Sequence, residues 1–569
     1  MMISNWERFR QYLFSAEELG IEIDISRVSF SESYLNEMEP KMQRIYTEIK
    51  ALEDGAIANP DEQRMVGHYW LRAPEIAPKK EISREIEGTI LRIKDFTKQV
   101  HLGTIRGQKG SLFRKVLVIG IGGSSLGPRF VSDALRRKGD PCTLYFIDNT
   151  DPDGMDRVFA ELEEDLDATL VLVISKSGGT IETRNGMEEV RYLYRLKGLD
   201  FRRYAISITQ KGSTLDKIAG KEGWLNSFPI WDWVGGRTSV FSPVGLLPLS
   251  LQGIEIDELL AGARKCDRLT RGRETKQNPA ALLALMWYVL TRGKGGQQMV
   301  VLPYKDRLEL FPKYLQQLVM ESLGKEIDLD GNFVQQGITV FGNKGSTDQH
   351  SYLQQLLEGP DNFFVTFIEV LKDREGKSIK IAEESTSGDY LHAFLLGTRK
   401  ALAQKGRSSI TLTIREINAR TIGALIALFE RTVSIYALLV NINAYHQPAV
   451  ELGKKGAGEV IRLKNRVVDF LKANPGKAYS IVTIAEKIGE KDVVDWEMLY
   501  KILQHLAANP DHGIERVKEK GKTSLSPDLE PVYLWRPPKP VLKYKLRDYP
   551  AAKLKPLVNY QFDKKSERG

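Results

Sequence analysis

Cysteine is almost absent. Cys142 and Cys266 are the only two in 569 residues, so no disulfide framework can hold the fold, and a reducing, cytoplasmic setting is expected. Unbroken apolar runs of membrane length are also missing. The longest, Ile422 to Ile442, is interrupted by Glu430 and Arg431 and reads as a buried helix rather than a membrane span. The opening stretch, MMISNWERFR, lacks the apolar segment of a signal peptide, and none is expected. Net charge is missing from most of the chain as well: residues 1–454 hold 59 basic and 59 acidic side chains. The whole excess of +8 lies in residues 455–569, with 23 Lys or Arg against 15 Asp or Glu. Such an excess can steer anions or nucleic acid, but it reads first as a solvated surface.

What is present is the composition of a globular chain, 42% hydrophobic and 27% charged, long enough for two to four domains. Residues 1–110 carry scattered helical patterns and no chemical motif. From about 111 to 254, short apolar runs alternate with helix-period stretches: Val116–Ile121, Thr143–Ile147, Leu170–Ile174, Tyr204–Ile208 and Phe228–Trp233. A second series, Met299–Leu302, Ile338–Phe341, Phe363–Val370 and Ile410–Ile414, follows within 255–455. Continuous apolar strands alternating with helices predict a parallel sheet covered on both faces. The fold class is therefore α/β, with two successive doubly wound domains behind a helical N-terminal region. Residues 456–569 form an extension of another character. Val467–Leu471, Ile484–Ile488 and Leu499–Leu506 predict three short helices, and Val517–Lys522 with Val532–Trp535 a hairpin, an order like a winged helix. The prolines at 531, 537, 538, 540, 550 and 556 then predict an extended arm.

Two segments carry recognisable chemistry. In Val116-Leu-Val-Ile-Gly120-Ile-Gly122-Gly123-Ser124-Ser125-Leu-Gly127, a strand enters glycines and serines before a helix, an arrangement whose backbone N–H groups suit a phosphate. A tight turn with no ligand is the plain alternative. A dinucleotide site, and with it an NAD-linked oxidoreductase, would need a third glycine where Ser125 stands, although Asp148 closes the next strand suitably. A Walker loop would need Gly-Lys-Ser/Thr here, which this loop lacks. In Ile174-Ser175-Lys176-Ser177-Gly178-Gly179-Thr180, three hydroxyls and a lysine precede a helix and can close around phosphate oxygens. Helix capping accounts for Thr180 but not for that density. Two such loops favour a small phosphorylated ligand over a dinucleotide.

Six blocks in order, GIGGSSLGP (120–128), SKSGGTIET (175–183), GGRTS (235–239), MESLGK (320–325), STDQH (346–350) and NAYHQPAVELGKK (443–455), resemble the glucose-6-phosphate isomerase (phosphoglucose isomerase) family of the sugar-isomerase (SIS) domain superfamily. The last block and GGRTS are most like its cyanobacterial and plastid subgroup. The resemblance implies two SIS-type domains and interconversion of glucose 6-phosphate and fructose 6-phosphate through an enediol. It implies general acid/base chemistry with no metal or redox cofactor. It further implies a homodimer. The expected compartment is the cytoplasm, and neither nucleic acid nor membrane is expected as a partner. By match, Glu321 carries the proton, Arg237 stabilises the enediolate, and His350 and Lys454 open the sugar ring, His350 reaching in from the partner subunit. Gly123, Ser124, Ser175, Lys176, Ser177, Thr180, Gly236, Gln317 and Gln447 hold substrate.

Each assignment has a plainer counterpart. Glu321 emerges among Leu318, Val319 and Met320, which would partly desolvate it, yet it could instead be a solvated glutamate paired with Lys325 one turn on. Arg237 could be a surface turn residue, although Trp231, Asp232 and Trp233 suggest a partly buried strand end. His350 could be a surface histidine at the start of a helix near Ser351. Gln447 and Lys454 could share one helix face, unless Pro448 starts the helix. Thr238, Gly179, His446 and Ala449 depart from the commonest family pattern, and Gly179 and Ala449 bear on phosphate affinity. A reading of another class is a sugar-phosphate sensor with a nucleic-acid-binding C-terminal segment.

Overall fold

The structure, a computed structural model, describes residues 5–59, 63–489, 494–517 and 532–537, with backbone alone at 450–455 and 494–495. The chain divides into two compact units, Met1–His446 and Gln447–Gly569.

The first unit is α/β, built on two sheets. In one, five parallel strands lie in the order Thr143–Ile147, Lys115–Ile119, Thr169–Ile174, Ala205–Thr209, Asn226–Pro229. Every residue of Thr169–Ile174 and Ala205–Thr209 is buried, as expected of continuous Val/Ile/Leu runs with helices on both faces. Chain order reverses between Lys115–Ile119 and Thr169–Ile174, so the loops that follow these two strands flank a crevice at their carboxyl ends. Those loops hold the two hydroxyl-rich segments. The fifth strand ends at Pro229, and residues 230–235 continue as turns rather than as strand to Trp233.

The other sheet has six strands, in the order Leu13–Ala16, Ile21–Asp24, Ser409–Ile414, Phe363–Val370, Gln298–Pro303, Val340–Phe341. The last four are parallel. The first two are an antiparallel hairpin added at the edge, Ile21 opposite Ile414 and Ile23 opposite Leu412. This corrects the purely helical reading of residues 1–110. Helices Asn5–Tyr12, Tyr34–Glu53 and Lys80–His101 are there, but so is a hairpin whose strands are four residues each and whose partner lies almost four hundred positions away.

Helix Ala419–Leu439 is apolar and long enough to cross a membrane, yet nearly all of it is buried inside the unit. It crosses Ile256–Thr270 closely: a Cβ on Gly262 would lie 1.8 Å from the Arg420 carbonyl oxygen. The two charges interrupting its sequence are both buried. Arg431 reaches Glu53 at 2.6 Å and Asp267 at 3.2 Å, while Arg72 bonds Asp267 at 2.6 Å and also Glu430. Burial pushes the Glu430 carboxyl up to about 7, against the pull of Arg72, whereas the arginines hold Asp267 down to about 2 despite its burial.

The second unit has helices Pro448–Ala473, Ile481–Ile488 and Val494–Ala508. Its antiparallel sheet runs Tyr479–Ser480, Val532–Trp535, Ile514–Val517. Val467, Leu471, Ile484, Leu503 and Tyr533 form its core. The order of elements is winged-helix-like. The first helix is 26 residues long rather than the short Val467–Leu471 turn expected, because apolar positions mark only its inward stripe. The hairpin pairs Ile514–Val517 with Val532–Trp535; residues 518–522 and the prolines at 531, 538, 540, 550 and 556 lie outside the described residues.

Candidate active site

Three segments meet at the carboxyl ends of the first sheet. The turn Gly122–Ser124 follows strand Lys115–Ile119, the turn Gly236–Thr238 follows the last strand, and a π-helical turn Gln316–Glu321 continues helix Phe311–Leu315. The first two are back to back: a Cβ on Gly123 would stand 2.0 Å from the Gly236 carbonyl oxygen, so only glycine fits there. Ser239 fastens the pair, its hydroxyl donating to the carbonyls of Gly236 at 2.7 Å and Gly123 at 3.2 Å. The Gln317 amide nitrogen is 3.1 Å from where a Cβ on Gly122 would project. Gly123, Gly236 and Gln317 are thus brought together, and Ser124 lies half-buried beside them.

The hydroxyl loop 175–180 joins the same group. Ser175 is buried; it accepts from the Gly178 N–H at 3.1 Å and pairs with the Thr180 hydroxyl at 3.0 Å. Ser177 is exposed and accepts from the Gly179 N–H at 3.2 Å. The Lys176 ammonium donates to the carbonyls of Asp232 at 2.7 Å and Val234 at 2.9 Å. It braces the loop against the segment leading to Arg237. Thr180 is the N-cap of helix Ile181–Leu196 but makes no side-chain cap hydrogen bond, so capping does not account for its hydroxyl.

Arg237 is buried, and its Nε stands 3.9 Å from Glu321 Oε2. One of its Nη groups donates to the His446 carbonyl at 3.3 Å. Burial lowers the guanidinium's pKa, with the Glu321 carboxylate pulling the other way. Glu321 keeps a quarter of its side chain exposed, yet Oε2 is buried and accepts no hydrogen bond among the described residues. A carboxylate in that state, facing a cation too far off to lock it, is free to take and return a proton. The π turn is a feature often found at functional sites. In sequence it reads as an ordinary helix end.

Lys325 corrects the alternative for Glu321. Its ammonium does not pair with the carboxylate; it donates to the main-chain carbonyls of Glu321 at 2.9 Å and Ser322 at 2.7 Å. Burial first, then the Arg237 charge, push it down to about 7, against the pull of Glu321. Neither Lys325 nor Ser239 stood out as functional in the sequence, since bonds to nearby carbonyls leave no spacing signature.

His350 is exposed and closes the 3-10 turn Thr347–His350, ahead of helix Leu353–Glu358 rather than at a helix start near Ser351. Among the described residues its side chain hydrogen-bonds to none of the groups above. Pro448 does start the helix, and Gln447 is its N-cap at φ −148°, ψ 66°. Gln447 therefore stands outside the helix that carries Lys454. The Lys454 backbone is within that helix, and its side chain lies outside the described residues.

Residues 33–470 match the family model described as phosphoglucose isomerase. The chain is 62% identical over 512 residues to the glucose-6-phosphate isomerase of Desulfitobacterium hafniense (strain Y51), covering 90% of this chain and 96% of that protein. It is 56% identical over 504 residues to that of Nostoc sp. (strain PCC 7120), covering 89% and 95%. A glucose-6-phosphate isomerase from Chlamydia trachomatis superposes with a TM-score of 0.73 at 28% identity, over 80% of this chain and 90% of the other.

Proposed function

This chain belongs to the phosphoglucose isomerase family, and we infer from that membership that it interconverts glucose 6-phosphate and fructose 6-phosphate with Glu321 as the proton carrier. The observation that carries the residue assignment is the buried, unbonded Oε2 of Glu321 opposite buried Arg237, beside two loops suited to phosphate. The substrate's phosphate sits against Ser175, Ser177 and Thr180, with the helix that follows favouring its charge. Gly123, Ser124, Gly236 and Gln317 hold the sugar. Glu321 removes the proton from the carbon next to the carbonyl and returns it to the neighbour, passing through a cis-enediol. Arg237 holds the charge that develops on the enediolate oxygens, and burial strengthens that attraction by excluding water.

His350 and Lys454 open the sugar ring, and Gln447 contacts substrate. We propose that His350 serves the site of a partner subunit in a homodimer. In support, His350 is exposed, and apolar side chains such as Ile379, Ile381 and Phe394 stand in solvent on a nearby stretch of chain. The cytoplasm is the proposed compartment, supported by two free, buried cysteines. A sugar-phosphate sensor acting on nucleic acid would have no use for an unbonded carboxylate facing a guanidinium, and that reading is set aside.

A coupled assay on fructose 6-phosphate tests the core of this. Glu321→Gln keeps the shape but not the base, and is expected to lower kcat by roughly 10²–10⁴-fold while leaving substrate affinity largely intact. Near-full turnover in that variant would refute the assignment.

A further inference from the structure

Each parallel sheet has a reversal of strand order, and the isomerase site uses only one of them. In the second sheet the reversal falls between Gln298–Pro303 and Phe363–Val370: Val340–Phe341 pairs on one side of Gln298–Pro303, and Ser409–Ile414 extends the sheet on the other. Crevices outside the carboxyl ends of strands at such reversals are where open α/β sheets bind ligands. The residues just beyond these two strands, Lys305 and Arg307 from one and Lys372 and Arg374 from the other, line a cleft of about 450 Å³. That volume suits a small molecule, since ligand pockets span roughly 300–1,000 Å³.

The cleft is strongly cationic. Seven Lys or Arg side chains line it against three carboxylates. Two of those carboxylates are engaged: Glu416 takes Lys372 at 2.8 Å, and Glu375 stands 3.8 Å from Arg137. Lys305 and Arg307 form no salt bridge among the described residues. The Lys305 ammonium rests on the carbonyls of Lys372, at 2.8 Å, and Asp373, and Arg307 gives one N–H to the Arg136 carbonyl at 3.3 Å. Partial burial, and for Arg307 the charge of Arg137, disfavour the charged forms of both. The run 136–138 has an ordinary explanation, because it follows helix Leu126–Leu135 and complements the negative end of its dipole. Lys305, Arg307 and Arg374 follow strands or loops and have no such explanation. Lys305 and Arg307 are half-buried and the other five cations exposed around them; a crowded cluster of this kind, short of carboxylates, is stabilised by an anion of several charges.

We propose that this cleft is a second ligand site, separate from the isomerisation site, for a small metabolite carrying two phosphate groups. A charge surplus of this size matches two phosphates better than one, and the small volume sets it apart from a surface for nucleic acid.

Equilibrium dialysis with inorganic pyrophosphate tests it, in about 0.15 M chloride so that exposed charges are screened beyond ~8 Å. The full chain is expected to bind at least one equivalent that survives Ser175→Ala/Thr180→Ala and is lost in Arg307→Ala/Arg374→Ala, with isomerase activity of the latter unchanged. No binding, binding lost entirely with Ser175→Ala/Thr180→Ala, or binding undiminished in the cleft variant would each overturn the proposal. Should the double cleft variant fail to fold, Arg374→Glu alone is expected to weaken that equivalent by about tenfold or more, the effect of losing a charge-assisted contact. Unchanged affinity in Arg374→Glu is equally fatal to it.

Discussion

Glu321 and Arg237 are near but not locked together, and the contrast with the buried core makes the point. Arg72 and Asp267 meet at 2.6 Å as a structural pair, whereas Arg237 and Glu321 are 3.9 Å apart. A tighter pair would hold the carboxylate in its charged form and spend the oxygen proposed to accept the proton. Lys325 supports the arrangement from behind by gripping the main chain of the π turn instead of the carboxylate. Its pKa in the folded chain, about 7, lies below its ordinary value of 10.5. Between those values the unfolded chain holds a proton that the folded chain has released. This group's contribution to stability therefore rises with pH across that window, by up to about 1.4 kcal/mol per unit. Lys325→Met removes the contribution. Urea denaturation at about pH 7.5 and pH 9.5 is expected to show the wild type gaining stability relative to the variant as pH rises. Parallel behaviour of the two proteins would rule the titration out.

At the scale of elements, the site depends on how closely its turns are packed. Gly123→Ala would thrust a methyl group to 2.0 Å from the Gly236 carbonyl oxygen, so the two turns must part. An ångström of displacement at a positioning loop costs roughly 10²-fold in rate, and kcat/KM is expected to fall by about that much while the circular dichroism spectrum is kept. In the core, Arg72→Met leaves Glu430 without its cation and Asp267 with Arg431 at 3.2 Å, and is expected to destabilise the fold by about 3–5 kcal/mol in denaturant titration. The parallel strands and the two hydroxyl loops were legible in the sequence, because continuous apolar runs and dense Gly/Ser segments are local signals. The hairpin Leu13–Ala16/Ile21–Asp24 was not, since four-residue strands are too short for alternation to register and their edge pairing is long-range. The π turn was illegible because its residues fit an α-helix equally well. The Arg72 cluster was illegible because its partners stand 195 and 358 positions away, and no local pattern announces a buried ion pair.

At the scale of the whole molecule, one chain brings together Glu321, Arg237 and the two hydroxyl-rich loops, the proposed base, enediolate-stabilising cation and phosphate site, but leaves His350 at its surface. The chain also carries apolar groups in solvent. Ile381 lies in a two-stranded hairpin and Ile379 just before it, and Tyr390, Phe394 and Leu396 lie on helix Ser387–Gln404 that follows, each more than two-fifths exposed. Exposed apolar side chains of this kind are what the proposed subunit interface would cover. A two-fold dimer that covered it would present the same surface twice, and each histidine could then serve the opposite site. This arrangement makes a prediction that an intramolecular His350 does not. Glu321→Gln and His350→Ala homodimers should each be nearly inactive. Co-expressed, they form mixed dimers in which one site has both residues intact and the other has neither. In dimers purified through both tags every molecule is mixed, with one site of the two intact, so activity should recover to roughly half of wild type. The measurement is the isomerase rate of the co-purified pair, each subunit carrying a different tag, against equal amounts of the separate variants. Recovery fixes His350 in the partner's site. A mixture no more active than its parents would mean that the histidine acts within its own chain or not at all.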